Sequence, residues 1–512
     1  MKPQLLLLAI AAYLIVVIGV GRRIARRSAS SAEFFRGARK SPWWAVAVAM
    51  VSTSISGITF VSVPGMVAAS QWAYLQMALG FVAGYAVIAY VLLPLYYRLN
   101  LTSLYSYLEG RFGPSSHAAG AGFFLLSKIL VCGVRMYLTA IVLQLVVFDP
   151  LGIPFWVNVA ATMLCVWLYT ARGGVRSLVW TDMIQTLALL TVVVLAILQI
   201  GRAMGLDFGA MCRSVQDSGM SRIWFFDDWR EPRFFWKQFF AGMLTTIAMT
   251  GMDQDMMQKN LSCRTLAQSR RNMMSYGAAF IPVNFLFLAL GVLLYQFALQ
   301  AGISVGRPDD LFPTIACGRN ADGAAWMPPV VSLLFCLGLT ASAFSSSGSA
   351  LTALTTTFTL DVLHADRRQD EPALRRTRSR VHAGAAVVVG LVILGFRGIR
   401  DGSVIDAIYT VAGYTYGPLL GLFFFGILTR RRVRDRWVPA ICLLAPALCY
   451  LFATHSEAWL GGYRVGFELL LLNAALTWAG LWLSSLGQGR LTTSPGMSNA
   501  SVAPSARTSS EA

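Results

Sequence analysis

The stretch MVSTSISGITFVSVPG, Met50–Gly65, decides how the rest of the chain is read. It lies in an apolar run long enough to cross a bilayer, yet it carries Ser52, Thr53, Ser54, Ser56 and Thr59, has Gly57 in its middle and closes on Pro64 and Gly65. Hydroxyls that compete for backbone carbonyls, together with a central glycine, make a poor continuous helix and a good broken one. Irregular backbone at membrane depth is tolerated only where it lines a cavity. A break there exposes carbonyls suited to a cation and a half-helix N-terminus suited to an anionic group.

The surrounding composition is that of a polytopic membrane protein. Of 512 residues, 56% are hydrophobic and 13% charged, and the mean hydropathy is +0.60, far from the averages of soluble domains. The first apolar run, from Leu5 to Val20, is followed by Arg22, Arg23, Arg26 and Arg27 in place of a small-residue cleavage site, and reads as a retained first span. The net charge of +18 sits in short clusters between apolar runs, which is a topology signal and excludes a nucleic-acid patch. Eight cysteines without CxxC spacing point to neither zinc nor a disulfide framework, with Cys212 and Cys317 the one pair conceivable on a shared side. The four histidines are far apart in sequence, and no nucleophile with a base or metal cluster is apparent, so the chain is read as no enzyme.

At roughly 20 apolar residues per crossing, the chain divides into about thirteen helical spans, an all-α protein. Basic clusters such as RRIARR, CRTLAQSRR and TRRRVRDR alternate with loops poorer in Lys and Arg, which puts the N-terminus outside and the C-terminus in the cytoplasm of an inner-membrane protein. The expected organisation is a first helix and basic loop over 1–41, a ten-helix core over 42–428, two more helices over 429–487 and a disordered tail over 488–512. Its partners are then the lipid bilayer and a small-molecule solute, with no nucleic acid and no obligate protein partner.

Ionisable residues at membrane depth are functional candidates by default, and they are few. Asp182 opens the sixth span in GGVRSLVWTDMIQT and Arg135 is mid-span in KILVCGVRMYLTAIVL; Asp253, Asp255 and Asp361 read as structural residues at cytoplasmic helix ends. The seventh span, GMLTTIAMTGMDQDMM, places Thr245, Thr246, Thr250 and Gly251 mid-membrane, five spans after the first break, as an inverted five-plus-five repeat requires. In the ninth, ASAFSSSGSALT puts Ser342, Ser345, Ser346 and Ser349 on one helical face, either a packing stripe of small residues or a ligand set.

Jointly, GGVRSLVWTD before a span, the broken STSISG segment, the hydroxyl stripe running into TTTFTLDVL and YTYGPLLGLFFFGI near the end resemble the sodium:solute symporter family over about residues 1–440. The resemblance implies a LeuT-like inverted-repeat fold with one helix before the ten-helix core and two after it, and Na+ as the coupling ion. Carried over, the sodium site uses backbone oxygens at Ser52, Ile55 and Ser342 and the hydroxyls of Ser345 and Ser346, with Asp182 supplying negative charge beside it. Some members hold a second sodium one turn along; here Ser349 is present but Gly348 occupies the adjoining position.

For the solute, the resemblance places a pocket at mid-membrane, with Ser54, Ser56 and Thr59 as polar donors and Tyr74 or Gln76, and Tyr409 or Tyr414, as walls. Proline carriers of the family have Asp where this chain has Ser54, and sugar carriers Gln where it has Thr59. Arg135 corresponds to the arginine that binds the substrate carboxylate in the family's sialic acid carriers, and a guanidinium matches a carboxylate in a bidentate fork. The expected function is sodium-driven uptake of a small organic anion, sialic-acid-like or a monocarboxylate, by alternating access. A sugar or amino-acid symporter and a non-transporting solute sensor are the alternatives.

Overall fold

The break expected within Met50–Gly65 is present. In the computed structural model of the protein, which describes residues 3–25, 30–171, 173–320, 323–398, 404–459, 463, 465–466 and 468–489, helix α2 (Trp43–Ser54) and helix α3 (Gly57–Gly65) meet at a bend of 58°. Helix α1 (Pro3–Ala25) precedes them. Ile55 (φ −80°, ψ 90°) and Ser56 (φ −83°, ψ 174°) leave helical geometry, so the last carbonyls of α2 are released from the helical ladder. The Ser52 and Thr53 hydroxyls turn back to the Ala49 carbonyl at 3.2 and 3.0 Å, the competition that weakens a helix from within. Gly57 is required by contact, because a Cβ there would collide with the Thr139 hydroxyl and press on Leu339.

Helix α4 (Ala73–Val87) continues to Arg98, and α5 (Pro114–Leu143), α6 (Phe155–Thr170) and α7 (Gly174–Ala203) complete the first half. A second break then appears. Helix α8 (Phe235–Thr246) loosens into a π-turn at Ile247–Gly251, and α9 (Gln254–Asn260) restarts with Asp253 as its cap, its carboxylate accepting from the Asp255 amide at 2.8 Å. Helices α10 (Leu266–Gln300), α11 (Pro329–Thr357), α12 (Glu371–Gly395), α13 (Val404–Leu428), α14 (Val438–Trp459) and α15 (Leu469–Ser484) follow.

Among the described residues nine helices are long and apolar enough to cross a membrane, and the bent α2/α3 pair makes ten. The other predicted spans fall on α6 and α15, which are apolar but shorter, and on the divided α8/α9. No β-sheet forms among the described residues. All eight cysteines are free, so the bridge considered between Cys212 and Cys317 is not formed. The tail beyond Gly489 lies outside the described residues.

Helices α4 and α8 pack backbone to backbone. A Cβ on Gly80 would overlap the Phe239 carbonyl, and one on Gly242 the Met77 carbonyl, the small-residue contact by which membrane helices associate without a hydrophobic drive. Gly80→Leu is therefore expected to force α4 off α8 and destabilise the fold by at least about 1–3 kcal/mol. A clear fall in the thermal midpoint of purified protein, with Gly110→Leu in open space as the neutral comparison, checks it.

Candidate functional site

Both breaks open on one cavity of about 110 Å³, lined from the first break by Thr53, Ser54, Ser56 and Thr59, from α8 and its π-turn by Thr245, Thr246 and Thr250, and from α13 by Tyr409 and Tyr416. Irregular backbone and cavity coincide, as the scarcity of water at that depth demands. On α5, Lys128, Val131 and Arg135 face the cavity at i, i+3 and i+7, one side of a helix. The Arg135 Nε is buried without a hydrogen-bond partner.

The predicted solute residues are mostly brought together here. Ser54, Ser56, Thr59, Tyr74, Arg135 and Tyr409 all line the cavity. The Ser54 hydroxyl is engaged with that of Tyr276, which also receives the Tyr85 hydroxyl at 2.8 Å. Tyr74 and Tyr409 meet hydroxyl to hydroxyl at 3.4 Å. Tyr414 does not line this cavity: five residues after Tyr409, it is turned by helical spacing toward α14, where its ring lies 6.1 Å from that of Tyr450, and Tyr416, seven residues after Tyr409, takes the wall position instead. Gln76 is also directed elsewhere, its amide bonding the Arg233 carbonyl at 2.9 Å and the Phe225 amide at 3.2 Å.

Asp253 and Asp255, read as structural residues at a helix end, do sit where one helix stops and the next begins, and they are also buried in the cavity wall, because α8 ends before them and α9 restarts beside the cavity. The Lys128 Nζ lies 3.1 Å from Asp253 Oδ2 and 2.7 Å from Asp255 Oδ2, and the Tyr416 hydroxyl donates to Asp253 at 2.5 Å. Asp361 lies in the π-turn Phe358–Val362 that continues α11, held by Ser103 at 2.6 Å and His117 at 2.9 Å.

Of the residues expected to hold sodium, Ser52, Asp182, Ser345 and Ser349 are linked by hydrogen bonds beside the first break. All are buried. Ser52 Oγ lies 2.8 Å from Ser345 Oγ and donates to the Asp182 carbonyl at 3.0 Å, so α2, α7 and α11 meet at this point. Ser342 and Ser346, on the same stripe of α11, donate back to the Leu339 and Ala343 carbonyls at 3.0 and 3.1 Å, so their hydroxyl oxygens keep lone pairs for accepting. Ile55 is the first non-helical residue of the break, where carbonyls are freed. Oxygen donors alone, with no nitrogen or sulfur, suit a hard monovalent cation.

Asp182 has a partner that the sequence reading overlooked. Lys259, on the buried α9, places its Nζ 2.6 Å from Asp182 Oδ2 and touches the hydroxyls of Thr53 and Ser349. Ser349 donates to the same Asp182 oxygen at 3.1 Å. Gly348 is accounted for by packing: a Cβ there would collide with the Tyr169 hydroxyl, which donates to the Phe344 carbonyl. The signal for Lys259 was a lysine six residues into the restarted helix of the second break; the signal for Lys128 was its seven-residue spacing from Arg135.

Comparison with known proteins supplies a family and a fold. The model of the sodium:solute symporter family matches residues 34–435. The sodium/sialic acid symporter NanT of Aliivibrio fischeri is 27% identical over 492 residues, 92% of each chain. Human sodium-coupled monocarboxylate transporter 1 is 27% identical over 406 residues, 78% of this chain and 64% of that one. Among solved structures, a substrate-bound, outward-open Na+-coupled sialic acid symporter superposes with a TM-score of 0.78 at 20% identity, over 95% of this chain and 99% of that one, and so shares its fold. With two broken helices five spans apart around one cavity and a family match over most of its length, the chain belongs to the sodium:solute symporter family, multi-pass membrane carriers coupled to Na+ and not enzymes.

Proposed function

We propose that the protein couples sodium entry to uptake of a small organic carboxylate across the cell's inner membrane, with residues 42–428 as the transport core, the N-terminus outside and the C-terminus in the cytoplasm. The observation that carries this reading is the Arg135 guanidinium, directed into a hydroxyl-lined cavity with its Nε buried and unpartnered. A buried donor left unsatisfied costs free energy that an arriving carboxylate recovers through charge-assisted hydrogen bonds. The second cavity cation does not serve this purpose, because Lys128 is already shared between Asp253 and Asp255. Relatives named for sialic acid and for monocarboxylates both handle acids.

Sodium is held between the Ser52–Ile55 carbonyls and Ser342, Ser345 and Ser346, clasping the broken α2/α3 to α11. The same break forms the cavity floor at Ser54, Ser56 and Thr59. Fixing it therefore preorganises the solute site, and by linkage each ligand raises the other's affinity by one common factor. Loss of sodium to the cytoplasm loosens the clasp and releases solute.

The test is uptake into proteoliposomes under an inward sodium gradient, with pyruvate, N-acetylneuraminate, proline and glucose as probes. At least one acid is expected to accumulate, sodium replaced by potassium should abolish that, and Ser345→Ala should raise the half-saturating sodium concentration at least tenfold, on the order of one lost cation ligand. Sodium-driven accumulation of proline or glucose with neither acid would overturn the carboxylate reading.

A further inference from the structure

We propose that the Lys259 ammonium is the permanent occupant of a second cation site, so that the carrier binds one sodium per cycle and moves a monocarboxylate without net charge. The inference about charge rests on the carboxylate reading above; the count of sodium ions does not. An ammonium has three donors, and Lys259 meets three oxygens: Asp182 Oδ2 at 2.6 Å, the Thr53 hydroxyl and the Ser349 hydroxyl. Lys259, Asp182 and Ser349 are wholly buried, and Thr53 is 2% exposed. One carboxylate and two hydroxyls are the ligands a hard monovalent cation takes from a protein, with an anion to hold its charge.

The cage is built from the elements that carry the proposed sodium ligands, one residue further along α2 and one turn further along α11. Thr53 follows Ser52 on α2. Ser349 lies four residues after Ser345 on α11, hence on the same face. The Asp182 carboxylate belongs to the residue whose carbonyl receives Ser52. What distinguishes the second position is the tether. A carboxylate at that depth does not stay ionised without a counter-charge, and a lysine on α9 delivers one that cannot diffuse away. Exchange with bath sodium is thereby excluded from this position.

The charges around the cavity and the cage agree with a single mobile cation. In the cavity, Lys128 and Arg135 are balanced by Asp253 and Asp255, and in the cage Lys259 is balanced by Asp182. One sodium then matches one carboxylate.

Sodium titration of the purified full-length protein, followed by calorimetry and needing no solute, decides the count. Wild type is expected to bind one sodium per chain. Lys259→Met empties the cage but leaves Asp182, and should bind two; Lys259→Met/Asp182→Asn removes both charges and should return to one. Two sodium ions on wild type, or one on a folded Lys259→Met, overturns the inference. Should Lys259→Met not fold, the double variant serves alone, and any value above one on it or on wild type is fatal. In proteoliposomes, monocarboxylate uptake by wild type should be indifferent to membrane potential. Failure of every acid to be taken up, with one sodium still bound, would sink the carboxylate reading and leave the tethered ammonium standing.

Discussion

Arg135→Ala is expected to raise the half-saturating carboxylate concentration by at least about thirtyfold while leaving sodium binding almost unchanged. Truncating one partner of a buried charged hydrogen-bonded pair costs about 2–5 kcal/mol, and each ~1.4 kcal/mol is a factor of ten. The separation follows from position. Arg135 faces the cavity from α5, whereas the proposed sodium ligands lie on α2 and α11. Arg135→Lys should recover only part of the loss, because an ammonium offers a point charge where the guanidinium offers a planar fork. The measurements are concentration-dependent uptake and, on the same preparations, sodium-induced thermal stabilisation. If Arg135→Ala transports the acid with wild-type affinity, the arginine only braces its helix.

What the sequence revealed of this site follows physical lines. The first break was legible because hydroxyls, Gly57 and Pro64 crowd one apolar run, and local competition for the backbone is a property of neighbours in sequence. The hydroxyl stripe on α11 was legible for a related reason, since i, i+3, i+4 and i+7 fix a face. The fates of its serines were not. Ser342 and Ser346 bond back along their own helix while Ser345 and Ser349 reach across it, a distinction that exists only once α2 and α7 are packed against them. Tyr414 and Tyr416 are both aromatic residues near a cavity in sequence terms, and only the helical phase of α13 assigns the wall to Tyr416.

The buried lysines were the larger omission. Each stands near a run of apolar residues with an acidic partner more than 70 positions away: Lys128 with Asp253 and Asp255, Lys259 with Asp182. A lysine at the edge of a span is ordinarily one that extends its amine to the interface. The second break reverses that reading, because it ends α8 early and folds α9, every residue of it buried, back beneath the cavity. Gly251 and Asp253 marked the place, but the consequence for the residues that follow is a matter of tertiary packing.

The same geometry makes Lys128→Met the most damaging single change in the cavity. It removes the cation that Asp253 and Asp255 share at 3.1 and 2.7 Å and leaves two carboxylates side by side, with Asp255 Oδ1 already lacking a partner. Removing one member of a buried ion pair costs about 3–5 kcal/mol, since the remaining charge has lost both water and its counter-ion. Function suffers by a second route, because the cavity passes from balanced to net negative and repels the incoming anion. The expected result is a large fall in thermal midpoint together with near-complete loss of carboxylate uptake. Lys128→Met/Asp253→Asn tests the cause. Asparagine keeps an oxygen to cap α9 and to accept from Tyr416 but carries no charge, so the double variant should regain much of the stability. Two charges remain after that exchange, those of Arg135 and Asp255, and they sum to zero as the original four did. Partial recovery of uptake is therefore expected alongside recovered stability. If the double variant is as unstable as Lys128→Met, the lysine acts through the packing of its methylene chain on α5 and not through its charge.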